Sequence, residues 1–167
     1  MVSSKLGDPQ CVILTDGDDK AVALLEKNLA NPANNMNQTV SKTKSLLWGE
    51  KQQMEDFSQW CRSTWPRTFE SDVKFDYIIA GDVMYKAELP PLFFGTCDKF
   101  LETNGTLWLC HIPRANVGHA LVNSQAEKAG FSCEPFDASQ IKIEDVPIDD
   151  LERARVYCIR RKTNTSI

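Results

Sequence analysis

The sequence predicts an α/β protein: a three-layer sandwich in which strands alternate with helices and pair mostly in parallel. Three observations carry this. Residues 77–80, Tyr-Ile-Ile-Ala, form a continuous apolar run too short for a helix and rich in β-branched and aromatic side chains, as in a strand buried on both faces. Similar short runs recur at 11–14, 106–112 and 131–136, and segments with apolar residues at helical spacing lie between them. The last two runs, 131–136 and 153–160, have no helical segment between them, so the chain is expected to finish on an antiparallel strand.

Taken in order, residues 1–10 are polar, carry Gly7 and Pro9, and read as a disordered leader. The strand at 11–14 ends in Thr15-Asp16-Gly17-Asp18-Asp19, whose carboxylates suit the first turn of a helix with Ala21, Val22, Leu24, Leu25 and Leu29 on its apolar face. Asn31-Pro32 stops that helix. Residues 39–47 alternate loosely and close on Leu46-Leu47-Trp48-Gly49 as a second strand; 50–72 read as a helix followed by a loop. After the strand at 75–81, the segment 88–101 places Leu89, Leu92, Phe93, Cys97, Phe100 and Leu101 at helical spacing. Pro90 and Pro91 fall in its first turn, where no amide bond is lost. Asn104-Gly105 marks a turn, 106–112 a buried strand stopped by Pro113, and 117–129 a helix with Leu121, Val122 and Ala126 inward and Gly130 as its cap. The strand 131–136, an acidic loop at 139–151, a strand at 153–160 with Val156, Cys158 and Ala154 on one face, and a polar tail at 161–167 complete the chain. The compact part is thus expected to span 11–160.

With 167 residues the chain is long enough for one domain with a real core. Its 19 basic and 23 acidic residues leave a net charge of −4, unlike a nucleic-acid binder, which needs a basic surface to neutralise phosphates. No apolar run approaches the roughly 20 residues of a membrane span. Six scattered cysteines, without a Cys-x-x-Cys pair or a neighbouring histidine, argue against zinc and for reduced thiols in a cytoplasmic or nuclear protein. The Asp16-x-Asp18 spacing hints at a calcium loop but lacks the later glycine and glutamate.

The chemistry-bearing residues cluster at strand ends, where open parallel sheets bind ligands. Asp16 is either a helix cap or a carboxylate able to take both hydroxyls of a ribose. Trp48 is either a core residue or an indole face on which a base can stack. Gly81 permits a bend or close ligand approach, and Asp82 and Tyr85 place a carboxylate and a phenol beyond it; the bland alternative is that Asp82 caps the next helix while Tyr85 packs on it. His111 and His119 read as structural histidines, and the acidic stretch 143–152 as a solvated face.

Asp82-x-x-Tyr85 directly after a buried strand resembles the motif that follows strand four in seven-strand, S-adenosylmethionine-dependent protein methyltransferases. The similarity is to the lysine methyltransferase-like branch, which includes the calmodulin-, elongation-factor- and chaperone-lysine enzymes. Thr15-Asp16-Gly17 resembles the branch's ribose-binding position, and Leu46-Leu47-Trp48-Gly49 its Leu-x-Trp-Gly element beside adenine. The resemblance implies a Rossmann-like sandwich and S-adenosyl-L-methionine as cofactor, bound by Asp16, Trp48 and Gly81. It also implies a monomer acting on a lysine of a protein substrate, with Asp82 and Tyr85 holding the acceptor. In this family a first strand and a Gly-x-Gly-x-Gly loop precede the ribose position; here only ten polar residues with a single glycine do. The expectation is therefore an N-terminally incomplete methyltransferase, or, as the alternative, a catalytically inactive remnant serving as a protein-interaction module.

Overall fold

The computed structural model describes residues 9–34, 36–137 and 152–162. The chain divides into two compact units, 1–73 and 74–167. Residues 1–8 of the expected leader, the acidic loop at 139–151 and residues 163–167 of the polar tail lie outside the described residues.

The first unit is a βαβα segment. Strand β1 (Val12–Asp16) leads to helix α1 (Asp19–Ala30), and a short 3-10 turn at Pro32–Asn34 precedes β2 (Ser41–Ser45) and helix α2 (Lys51–Thr64). β1 and β2 pair in parallel from Val12 opposite Ser41 to Asp16 opposite Ser45. The pairing continues one step beyond β2, because the Leu46 amide donates to the Asp16 carbonyl at 2.9 Å. Asp18, with extended backbone, caps α1 by accepting from the Lys20 amide at 2.7 Å. β2 is shorter than the expected 39–47, though Leu46 is buried.

The second unit contains β3 (Phe75–Gly81), α3 (Leu89–Phe100), β4 (Leu101–His111), α4 (His119–Lys128), β5 (Phe131–Phe136) and β6 (Arg155–Arg161). Its sheet has the order β3-β4-β6-β5. β3 and β4 are parallel, and β6 runs antiparallel to both β4 and β5, as the missing final helix demanded. Leu107, Leu109, His111, Phe131, Tyr157 and Ile159 are fully buried. Both helices lie on this face: Phe94 of α3 meets Phe131 at 6.2 Å between ring centroids, and His119 of α4 meets Tyr157 at 5.9 Å. Pro90 and Pro91 occupy the first turn of α3 as expected, and Gly130, at φ +83°, supplies the left-handed residue after α4. At the far end of α3 the Lys74 ammonium donates to the Lys99 carbonyl at 2.6 Å and the Arg161 guanidinium to the Leu101 carbonyl at 3.0 Å, pairing acceptors that a helix end leaves exposed.

Three expectations need correction and one is refined. β3 is not buried on both faces: Tyr77 is 68% and Ile79 63% exposed, because β3 is an edge strand of its sheet and both helices of the unit cover only the opposite face. β4 begins at Leu101 rather than 106; the Asn104-Gly105 turn survives as an irregularity inside the strand, where the register jumps from Phe75 opposite Leu101 to Tyr77 opposite Thr106. In β6 the face shared by Val156 and Cys158 is the shallower one, though Cys158 is buried; the deepest side chains are Tyr157 and Ile159, since the helix-covered face takes the odd-numbered residues. In α3, Leu92 is 40% exposed, and Phe94 takes the core position instead.

Candidate acceptor edge and nucleoside edge

The sequence-predicted residues fall at the carboxyl ends of parallel strands in each unit. In the first unit, Asp16 is the last residue of β1 and Trp48 follows β2 by three positions, so both stand at the same end of the β1–β2 pair. Asp18 takes the capping role, which frees Asp16 from it; one Asp16 oxygen accepts the Asp18 amide at 2.9 Å and the residue is otherwise exposed. Trp48 is half-buried. The two strand-end loops touch: a Cβ on Gly17 would lie 3.1 Å from Leu47 Cδ1, so the chain after Asp16 runs close against the segment that carries Trp48. An exposed carboxylate and a half-buried indole on adjoining loops are suited to a ribose and a purine respectively.

In the second unit, β3 ends at Gly81, and Asp82 adopts a left-handed backbone at φ +52°. Few residues other than glycine sit there, although aspartate is among those that tolerate it. The Asp82 amide is fixed by the Cys110 carbonyl at 2.9 Å, which extends the β3–β4 ladder one step past the strand. Met84, 1% exposed, anchors the next turn in the core, while Tyr85 is exposed with the Lys86 ammonium 5.9 Å from its ring centroid. The motif is therefore a buried methionine holding an acid and a phenol at the surface. Asp82 does not cap α3: Glu88 occupies that position, and no side chain caps the helix.

Sequence reasoning missed Arg114. Its Nε donates to Asp82 Oδ1 at 3.1 Å and its Nη2 lies 2.5 Å from Asp82 Oδ2, a two-pronged pair across 32 residues of sequence. Arg114 opens a tight turn in which Ala115 (φ +42°) and Asn116 (φ +68°) are both left-handed and the Val117 amide donates back to the Arg114 carbonyl at 2.7 Å. The turn is held from two further sides. Nε2 of the buried His111 lies 3.1 Å from the Val117 carbonyl and must donate to it, and the Arg153 guanidinium donates to the Pro113 carbonyl. His119, whose ring stacks edge-on to His111 at 5.3 Å, donates through Nε2 to the Arg153 carbonyl at 3.1 Å. Burial is the main cause that lowers the pKa of both histidines; for His111 the neighbouring His119 adds to it, while the Val117 hydrogen bond and Asp82 oppose it. Both rings are thus neutral at pH 7 and brace backbone carbonyls through Nε2, while Nδ1 of each is buried without a hydrogen-bond partner. Burial also raises the thiols: Cys61 to about 12, Cys133 to about 11, and Cys97 and Cys110 upward as well, so none of these four is a thiolate nucleophile. No group of three or more metal-ligating side chains occurs among the described residues. No helix among them is long and apolar enough to cross a membrane.

A parallel strand pair with its helices in the first unit and a mixed four-stranded sheet with its helices in the second, each with an acidic side chain at the carboxyl end of a parallel strand, is an α/β architecture of the Rossmann-like methyltransferase class. The chain belongs to the family described as lysine methyltransferase, whose model matches residues 1–128. No curated protein matches it. Among solved structures, it is similar to ribosomal protein L11 methylase from Lactobacillus delbrueckii subsp. bulgaricus, at 18% identity and a TM-score of 0.52, covering 95% of this chain and 62% of that one. Magnesium protoporphyrin IX methyltransferase from Synechocystis PCC 6803, determined with bound S-adenosylmethionine, is 15% identical with a TM-score of 0.56, over 95% and 62%. PKMT2 from Rickettsia typhi is 12% identical with a TM-score of 0.56, over 91% and 44%. At such identities the likeness is one of fold. The chain spans less than two thirds of the length of each of these three structures.

Proposed function

We propose that this chain forms part of an S-adenosylmethionine-dependent protein N-methyltransferase that modifies lysine. Asp16 binds the cofactor's ribose and Trp48 its adenine, and Gly81 is a further cofactor-binding residue. Asp82 and Tyr85 hold the acceptor amine. The single observation that carries the reading is the Asp82-x-x-Tyr85 loop: a left-handed aspartate at the carboxyl end of a parallel strand, pinned by the Cys110 carbonyl and by buried Met84 so that acid and phenol face outward. Family membership supports the methyltransferase class.

The cofactor supplies an electrophilic methyl group. The protein's share is alignment, because in-line displacement needs the amine lone pair aimed at that carbon and little acid–base chemistry. The acceptor nitrogen must carry a lone pair, so the edge has to favour the uncharged amine. Tyr85 and Asp82 offer a phenol and a carboxylate to orient it by hydrogen bonds. We read the working protein as a monomer of the cytoplasm or nucleus that takes a protein rather than a nucleic acid, in keeping with its net charge of −4. Titration calorimetry of the full-length protein with S-adenosylhomocysteine tests the reading: saturable heat is expected, and its absence at millimolar ligand rejects cofactor binding. The second reading, a non-catalytic interaction module, is favoured by one observation, the exposed Tyr77 and Ile79 on edge strand β3. It is the one left standing if that heat is absent.

A further inference from the structure

We propose that Arg114 sets the charge of the acceptor that this edge admits. Held on both oxygens of Asp82, it leaves a rim of cancelled charge that receives a nitrogen in its uncharged form and disfavours an ammonium. The inference rests on the reading of Asp82 and Tyr85 as the acceptor edge.

A carboxylate offers about four lone-pair sites on two oxygens. The Arg114 fork takes one on each, at 3.1 Å from Nε and 2.5 Å from Nη2. The remaining sites can still accept a hydrogen bond from an amine N–H, but the formal charge that would hold a cation is compensated. A bare aspartate would bind lysine best in the protonated form, which has no lone pair to give. Arg114 removes that trap, and its own positive charge further disfavours a second cation beside it.

The pairing is built into the fold. The turn that displays Arg114 contains two consecutive left-handed residues, Ala115 and Asn116, and alanine there is costly. Three separate contacts hold the turn: the Val117–Arg114 backbone bond, His111 on the Val117 carbonyl from below, and Arg153 on the Pro113 carbonyl from the side. The Asp82 backbone is equally fixed. The two loops that carry the pair are pinned through their backbones, so it needs less ordering than a pair on mobile loops, while both side chains stay exposed to solvent. The other titratable groups near Asp82 are His111 and Cys110 on β4, and Tyr85 and Lys86 follow it in its own loop. His111 is neutral and Cys110 protonated at pH 7, so neither replaces the guanidinium.

The probe is n-butylamine, the side chain of lysine, titrated into the full-length protein and followed by the carbon-bound ring-proton shifts of Tyr85 and the methyl shift of Met84, which do not exchange with water at either pH. At pH 7, where the probe is a cation, R114Q is expected to bind it about tenfold more tightly than wild type, the scale of one exposed unit charge at close range. The gain should vanish in R114Q/D82N and should be reversed by R114K, which restores charge without the fork. At pH 10.5, where much of the probe is neutral, wild type and R114Q should converge; a purely structural role for Arg114 would not give this pH dependence. Equal binding by wild type and R114Q at pH 7, with D82N abolishing both, overturns the role of Arg114 and leaves the acceptor edge intact. No perturbation by the amine in wild type and R114Q at either pH overturns the acceptor edge itself, and this inference with it.

Discussion

Gly105 sits where the β3–β4 register jumps, and replacing it by alanine tests whether that irregularity is built to close tolerance. An added Cβ would lie 2.9 Å from Leu101 Cδ1, 3.0 Å from the Asp76 carbonyl oxygen and 3.1 Å from the Glu102 carbonyl oxygen. A leucine methyl can turn aside, but the two oxygens are backbone, one of them on the neighbouring strand, so relief requires β3 and β4 to part. Overpacking of this kind costs about 1–3 kcal/mol. With a urea slope of about 1–3 kcal/mol/M for a small domain, the unfolding midpoint should fall by about 1 M. Gly95, in the middle of α3, is the control: a Cβ there meets nothing within 4 Å, and G95A should gain about 0.5–1 kcal/mol by restricting the unfolded chain. The measurement is urea unfolding of both variants at pH 7, followed by tryptophan fluorescence. If G105A unfolds at or above the wild-type midpoint while G95A behaves as expected, the argued crowding between the strands is wrong.

Acid should loosen the second unit through its histidines. His111 and His119 have pKa values lowered by burial in the folded state, so below pH 6.5 the unfolded chain binds protons that the folded one refuses; stability is complete above that pH and is lost as the pH falls through the lowered values. Thermal melts between pH 7.5 and 5 should show a falling midpoint, and H111Q should flatten part of the fall; a slope unchanged in H111Q would assign the effect to other groups. Removing the α1 cap by D18A should cost about 1 kcal/mol in urea unfolding, whereas D16A should leave stability within about 0.5 kcal/mol, because the Lys20 amide bonds to Asp18 and not to Asp16.

Much of this architecture is legible in local signals. The two prolines in the first turn of α3, the glycine after α4 and the strand pair without a connecting helix each fix a feature by a rule that operates within a few residues. The same holds for Asp82 and Tyr85, which are recognisable because they follow an apolar strand immediately. What the sequence hides is what depends on distant neighbours. Tyr77-Ile78-Ile79-Ala80 reads as doubly buried, yet which face is covered is decided by helices elsewhere in the chain. The deeper face of β6 is not legible because Val156 and Cys158 alternate with Tyr157 and Ile159, both apolar enough to be core, and only the position of α3 and α4 selects between them. Arg114 is hidden because its partner lies 32 residues away; Asn116 marks a left-handed position in the turn, but Ala115 before it does not, and nothing local says which residue the turn aims at Asp82.

The most direct measurement is calorimetric titration of S-adenosylhomocysteine into the full-length protein, wild type beside D16N and D18A. Saturable binding in wild type and D18A with a loss of about tenfold or more in D16N is the expected result, since Asp16 ends β1 and stands at the same end of the strand pair as Trp48, whereas Asp18 caps α1. Wild-type affinity in D16N, or no heat in any of the three, would contradict the assignment of the β1 end as the nucleoside site.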